Sequence, residues 1–574
     1  MKTRVILPVA LLLLAAALLL NTALATEEKE KTAEEKTREW QKTVEEIKGM
    51  KFKKPVASEA VDEAGMKKVM EKEIRYTKSE KDIKTALEII GFFAPEIDSV
   101  KVSDILDIMS KSTAGLYIPR KDKYYYLETL TPEAQGEVAV HELTHALQDQ
   151  HINLTTFIEK ARNNLDRQGA RKALMEGEAT CVGLEYGFQT YGKGIIDMEE
   201  EIGDLFESSI EDNIPFEGPV IREMIMFPYV YGSTFYQRYL KVNGWKKTAD
   251  LYKNPPETTE QILHEQKFIT GMDYPVEVSF SLGASSLGKG WEMMDSTTVG
   301  EYDMLLLLGE NQKDNAASWR AVIGWDGDRW TFYRNKEDKS RAAVAVTAWD
   351  SEEDAKEFLE FLKAHITKRW KDALAAGNGA ALDEKGGISF RWTTRDRTFF
   401  ARRDKQTVYA ALNIPAAALE KVEKRLSKAR IRFHNKDREQ GKGDNDTTRA
   451  AEKAFLAKLE ARLAPVTVTG NTVTGKTGKY QITLPEDEWE ITSQPGDSGI
   501  SLTAHSKKFE TGSINIIEIP AIGVNSLEDA LKQVREAYPV MLPNFTLLSE
   551  SDTKLGGVPA HSFTFTCSQN AAKF

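Results

Sequence analysis

The chain has 574 residues, 41% of them hydrophobic and 29% charged, and a formal net charge of −11. A chain this long exceeds one hydrophobic core, so two to four domains are expected. The acidic balance excludes the basic face that nucleic-acid binding needs and offers nothing to an anionic membrane surface.

The chain opens with Lys2 and Arg4, an apolar run from Val5 to Leu20, and the small-residue segment Ala23-Leu24-Ala25. This is the layout of a secretory signal peptide, so residues 1–25 are expected to be removed and the mature protein exported: secreted, periplasmic or associated with the cell envelope. No later stretch is apolar enough to span a bilayer, so no membrane span is expected after signal removal. Only Cys181 and Cys567 are present, which is no disulfide framework. Cys181 falls in a predicted helix and is expected to be packing.

Residues 26–54 are dense in Glu and Lys and read as a charged helix or flexible arm in solvent. Leu116-Tyr117-Ile118 and Tyr124-Tyr125-Tyr126-Leu127 flank a polar turn and predict a β-hairpin. Thr131-Pro132 then opens a helix to about residue 151, Thr131 as cap and Pro132 at the first helical position. Further helices are predicted over about 166–190 and 218–241. Beyond 270 two strand-turn-strand-helix patterns recur, RWTFYRN and RAAVAVTAW with SEEDAKEFLEFLKAHI, then RTFFARRD and TVYAALNI with PAAALEKVEKRL. They predict one α+β domain built from two hairpin-helix units. Residues 434–449 read as linker, a short helix follows, and the end of the chain is strand-rich.

The chemistry is concentrated in the first of these helices, at His141-Glu142-Leu143-Thr144-His145. Residues four apart on an α-helix lie about 40° apart around the axis and about 6 Å along it, so both imidazoles can address one Zn²⁺. Glu142 stands beside the first ligand, where a carboxylate can act as general base. Among only 8 histidines in the chain, this spacing is a specific signal.

A catalytic zinc site needs a third protein ligand. His151 stands where the pattern HExxHxxGxxH puts its last His, but position 148 is Gln, and the helix is expected to continue through it. His151 would then lie about 15 Å along the axis from His141 and about 80° off its face. The second helix offers Glu176 and Glu178, in MEGEAT. Glu176 lies in an otherwise apolar stretch, where a buried carboxylate requires a partner. Asp149, four residues past His145, is a candidate to accept a hydrogen bond from that ring and orient it. Tyr229, with Tyr231, is a candidate oxyanion donor, set against core packing as the commoner role for such residues. His264 reads as structural.

The run HELTHALQDQH resembles the zincin metallopeptidases and is similar to a group of bacterial exported proteins. Glu-Gly-x-Ala at Glu176 is similar to the ligand motif of gluzincin-type aminopeptidases, which implies His141, His145 and Glu176 as metal ligands. Glu178 and His151 remain the alternatives. The stretch between His145 and Glu176 is longer than that resemblance implies. A zincin also implies an edge strand that binds extended peptide, for which Tyr124 to Leu127 is the candidate. The C-terminal YQITLPEDEWEI and LGGVPAHSFTF resemble PsbP-like domains, and the final strand SFTFTC running into the end of the chain predicts an incomplete module.

The expectation is therefore multidomain: a signal peptide over 1–25, an arm over 26–54 and a mainly α zincin-like domain with a β-hairpin over 55–270. An α+β domain over 271–430, a linker with a short helix over 431–475 and a small β-rich module over 476–574 follow. The expected activity is zinc-dependent hydrolysis of peptide bonds in a peptide or protein substrate, with Glu142 as base. The alternative is an exported binding or scaffold protein that keeps the fold and cleaves nothing. The sequence names no protein partner for the C-terminal module.

Overall fold

A computed structural model describes residues 32–433, apart from short breaks at 78–79, 112, 190–193, 199–201, 204–218, 272, 310–315, 372–380, 386–387 and 395. It also describes helical residues 450, 452–457 and 459, and separate strands between Thr467 and Thr566. The predicted signal peptide, most of the predicted linker and Cys567 lie outside the described residues. Among the described residues no helix is long and apolar enough to cross a membrane.

The fold is mixed helix and sheet. The charged N-terminal segment forms helix α1 (Ala33–Lys48), started by a capping box between Thr32 and Glu35 and stopped by Gly49 at φ 63°. It was expected in solvent, but Val44 and Ile47 on one face are buried with Tyr117, Tyr124, Val140, Leu143 and Leu147. Apolar residues spaced three and four apart make that face.

Strand β1 (Ala57–Val61) is followed by helices α2 (Glu63–Thr77), α3 (Glu80–Phe93) and α4 (Val102–Lys111), then the hairpin of β2 (Gly115–Ile118) and β3 (Lys123–Leu127). Asp122 at φ 53° closes the turn. The sheet order is β1-β3-β2, with β1 parallel to β3. Tyr124 to Leu127 is therefore the central strand, and the hairpin's free edge is β2. The expected edge is corrected because β1, half exposed and without strand alternation, occupies the far side of β3.

Helix α5 (Pro132–Ile152) is capped by Thr131, whose hydroxyl accepts the Ala134 N–H, with Pro132 in the first turn. Helices α6 (Leu165–Gln189) and α7 (Pro219–Asn243) pack against each other closely. Gly177 faces Gly232 and Gly232 faces Ala173, so a Cβ on either glycine would run into backbone of the opposite helix. That contact lets α6 and α7 lie close together.

Downstream, the short strand β4 (Glu277–Ser279) is followed by β5 (Trp291–Thr297), β6 (Trp325–Asn335), β7 (Arg341–Trp349), β8 (Ala381–Lys385), β9 (Ser389–Thr393), β10 (Arg397–Asp404) and β11 (Thr407–Pro415), the last seven forming an antiparallel sheet in the order β5-β6-β7-β11-β10-β9-β8. The hairpins β6–β7 and β10–β11 meet along β7 and β11. Each leads into a helix, α8 (Glu352–Arg369), capped by Ser351, and α9 (Leu419–Leu426). Segments on either side of residue 270 pack together. Phe93 stacks edge-on against Trp330 and Phe332, and Arg341 forms a two-point ion pair with Asp98. The described C-terminal strands pair antiparallel.

Candidate metal centre

Helix α5 is buried on every side from Val138 to Gln148. The core of α1 and the β2–β3 hairpin covers one flank and α6 the other. The helical repeat places His141 and His145 one turn apart, facing α6. Their Nε2 atoms stand 3.2 Å apart, and Oε2 of Glu176 lies 3.2 Å from Nε2 of His145 and 3.4 Å from Nε2 of His141. Ligands at 2.0–2.1 Å around a tetrahedral Zn²⁺ stand about 3.3–3.4 Å from one another. The three donor atoms are thus at the mutual spacing such an ion imposes, and their types, two imidazole nitrogens and one carboxylate oxygen, suit it.

The tautomer of His145 follows from its neighbour. Gln148 Nε2 donates to Met175 O at 3.1 Å and to Glu178 Oε2 at 2.7 Å, two atoms that only accept. Its Oε1 must therefore face His145 Nδ1, 2.9 Å away, which donates. Nε2 is left with its lone pair toward His141 and Glu176, the form a metal ligand needs. Without a metal the same atoms hold a proton. Burial disfavours the imidazolium of His145, but the Glu176 carboxylate outweighs it and raises the ring to about 9. Burial opposes ionisation of Glu176, and His145 with His141 overrides it, holding the carboxyl down at about 2.

Glu142 leans the other way, toward the hairpin. Its Oε2 accepts the Tyr117 N–H at 2.6 Å, from the free edge of β2. Burial raises its pKa above the ordinary carboxylate range, and the rings of His141 and His145 pull only partly against that. Gly115 leaves room for it: a Cβ there would stand 3.0 Å from Glu142 Cγ and closer still to Val138.

The other sequence candidates fall elsewhere. Residues two apart on a helix point to different faces, and Glu178 is turned away from the ligand cluster toward Lys48, Tyr236, Tyr252 and Gln148. The exposed His151 bonds Lys51 O at 2.9 Å, because Gln148 keeps α5 helical to Ile152. Asp149 accepts the Leu154 N–H and the Tyr117 hydroxyl, and the partner of the His145 ring is Gln148 instead. Tyr229 is buried with its ring stacked on His141, centroids 6.4 Å apart. Tyr231 packs among Phe227, Tyr302 and Trp319. His264 is buried against Glu301. Gly115, Tyr117, Gln148 and Lys48 were not anticipated. Only Gln148 had a signal, as the departure from glycine at that position.

Residues 290–423 match a family model described as a domain of unknown function, DUF8575. The matched stretch runs from the sheet's first strand into α9 and contains none of His141, Glu142, His145 and Glu176. Comparison with curated proteins and with solved structures gives no match.

Proposed function

We propose that this protein is an exported zinc-dependent peptidase, with a zincin-like domain in which His141, His145 and Glu176 hold the metal. The observation that carries this is the convergence of those three donor atoms within 3.2–3.4 Å, beside an acid with a raised pKa. A bound zinc supplies a Lewis acid for the scissile carbonyl and lowers the pKa of solvent beside it. Glu142 accepts the proton from the attacking solvent and returns it to the leaving amine. A carboxyl pushed up by burial suits both steps, being a stronger base than an ordinary carboxylate and able to return the proton it takes. Tyr117 N–H holds the Glu142 carboxylate in place. Tyr229, by stacking, fixes the ring of His141. β2, rather than β3, is the outer strand of the hairpin beside the site, and an extended peptide adding to it would displace Glu142 from the Tyr117 N–H.

The test is cleavage of unfolded protein by the purified mature chain with metal content measured alongside. Glu142→Gln should keep the zinc and lose the cleavage. A zinc-loaded wild type that cleaves nothing across broad peptide libraries sinks the peptidase reading.

A second reading rests on burial. His141, Glu142, His145 and Glu176 are each under 9% exposed, which also suits a closed structural metal site in an exported binding or scaffold protein. In that case chelation should unfold the domain, and Glu142→Gln should change neither metal content nor any measured property of the wild type.

A further inference from the structure

We propose that the N-terminal helix α1 is a built-in component of the metal centre, acting through Lys48 as a positioning residue. This rests on the metal assignment above and says what holds it in place. Lys48 sits in the last turn of α1 and is 4% exposed. Its ammonium has three protons and three acceptors: Glu178 Oε1 in a short ion pair, Tyr236 OH at 2.8 Å and Thr248 Oγ1 at 2.7 Å. Glu178, 1% exposed, takes that charge on one oxygen. On the other it takes Gln148 Nε2 and the Tyr252 hydroxyl. Gln148 then presents Oε1 to Nδ1 of His145. The path from α1 to the ligand is one unbroken series of hydrogen bonds: Lys48, Glu178, Gln148, His145.

Two features make this more than packing. First, Glu178 is what orients Gln148. With Glu178 ionised, the amide cannot flip, and the His145 tautomer stays fixed. Second, a carboxylate this deeply buried requires a compensating cation, and Lys48 is the residue that supplies it at Oε1. The loop after α1 is tied as well, with Lys53 N–H on Gln150 Oε1 at 2.8 Å and Lys51 O on His151. The charged segment is thus retained as part of the working site. A pro-segment whose removal uncovers the site would show the opposite behaviour.

The experiment measures zinc affinity of the mature full-length protein by chelator competition, together with the visible absorption of the Co²⁺-substituted protein. Lys48→Met should weaken zinc binding ~10–100-fold, as loss of an outer-shell partner does, and alter the Co²⁺ spectrum. Lys48→Arg should recover most of the affinity. Gln148→Leu should weaken binding by a similar factor. Adding Lys48→Met to Gln148→Leu should cost little more, because both act through one relay. Val44→Ala, which loosens the same helix without touching the relay, should leave zinc affinity and spectrum unchanged. The proposal is overturned if Lys48→Met binds zinc like wild type, or if its effect adds in full to that of Gln148→Leu. Wild-type protein that binds no zinc overturns the metal assignment itself, which is a separate outcome.

Discussion

With zinc at the proposed site, stripping the metal should give the protein a pH dependence that the loaded form lacks. Without metal, the ring of His145 keeps its proton against Glu176 up to about 9, against 6.5 for a free ring. A raised folded-state pKa means stability that is fully present below the unfolded value and lost as pH climbs through the folded one. Glu176, depressed from 4.5 to about 2, adds stability that is present above about 4.5 and lost only in strong acid. The stabilisation from the pair is therefore full between about pH 4.5 and 6.5 and declines between about 6.5 and 9. The interval between the two His145 values corresponds to an upper bound of about 3 kcal/mol at 1.36 kcal/mol per unit. A bound zinc replaces that proton, and competition for it weakens as pH rises. The gap in unfolding free energy between loaded and chelator-treated protein should widen across this window. Chemical denaturation of wild type and Glu176→Gln at pH 6 and pH 9.5, with and without chelator, measures it. Other groups titrate in the same range, but they cancel between the two proteins. If metal-free wild type and metal-free Glu176→Gln lose stability equally over the window, the reasoning is wrong.

Glu176→Gln should reduce bound zinc severely by elemental analysis, while His151→Gln should leave it intact and loosen only the contact with Lys51. Gly115→Ala should cost about 1–3 kcal/mol in denaturation, since the new methyl meets Val138 and crowds Glu142. It should lower turnover more than zinc content. Lys267→Met should destabilise by about 3–5 kcal/mol, because this fully buried ammonium is surrounded by Glu260, Asp273, Asp350 and Glu452.

The parts of the site legible in the sequence are those fixed by helical geometry alone. His141 and His145 face one point because they are one turn apart, and no tertiary contact alters that. Glu176 was readable once α6 was recognised, since it is an acid on an otherwise apolar stretch. The strand roles were not readable. The strand β1 reaches β3 from across three helices, and its half-exposed residues carry no alternation that would announce it. Without it, either strand of the hairpin can be the edge. Lys48 was invisible for a similar reason: it lies 130 residues from Glu178 and sits in a run of charges that looks solvated. The burial of a single member of a charge-rich helix depends on its partner, which local composition does not contain.

Gln148 ties the legible and the illegible parts together. A glycine there would let the chain turn and bring His151 back toward the metal. Glutamine favours helix, so α5 runs on to Ile152 and carries His151 out to Lys51. In the proposed zinc site the third ligand then comes from another element, Glu176 of α6, a helix packed closely on α7 through Gly177 and Gly232. The same glutamine fixes the His145 ring from the side opposite the ligands and, by facing Glu178, couples that ring to α1. In the proposed zinc site, Gln148 thereby favours Glu176 over His151 and, through Glu178, connects the His145 ring to the N-terminal helix. Gln148→Gly should consequently fail to recruit His151 as a ligand, because the bonds from α1 and Lys51 still hold that end of α5. It should simply bind zinc more weakly than wild type, and a Gln148→Gly protein whose zinc depends on His151 would contradict this account.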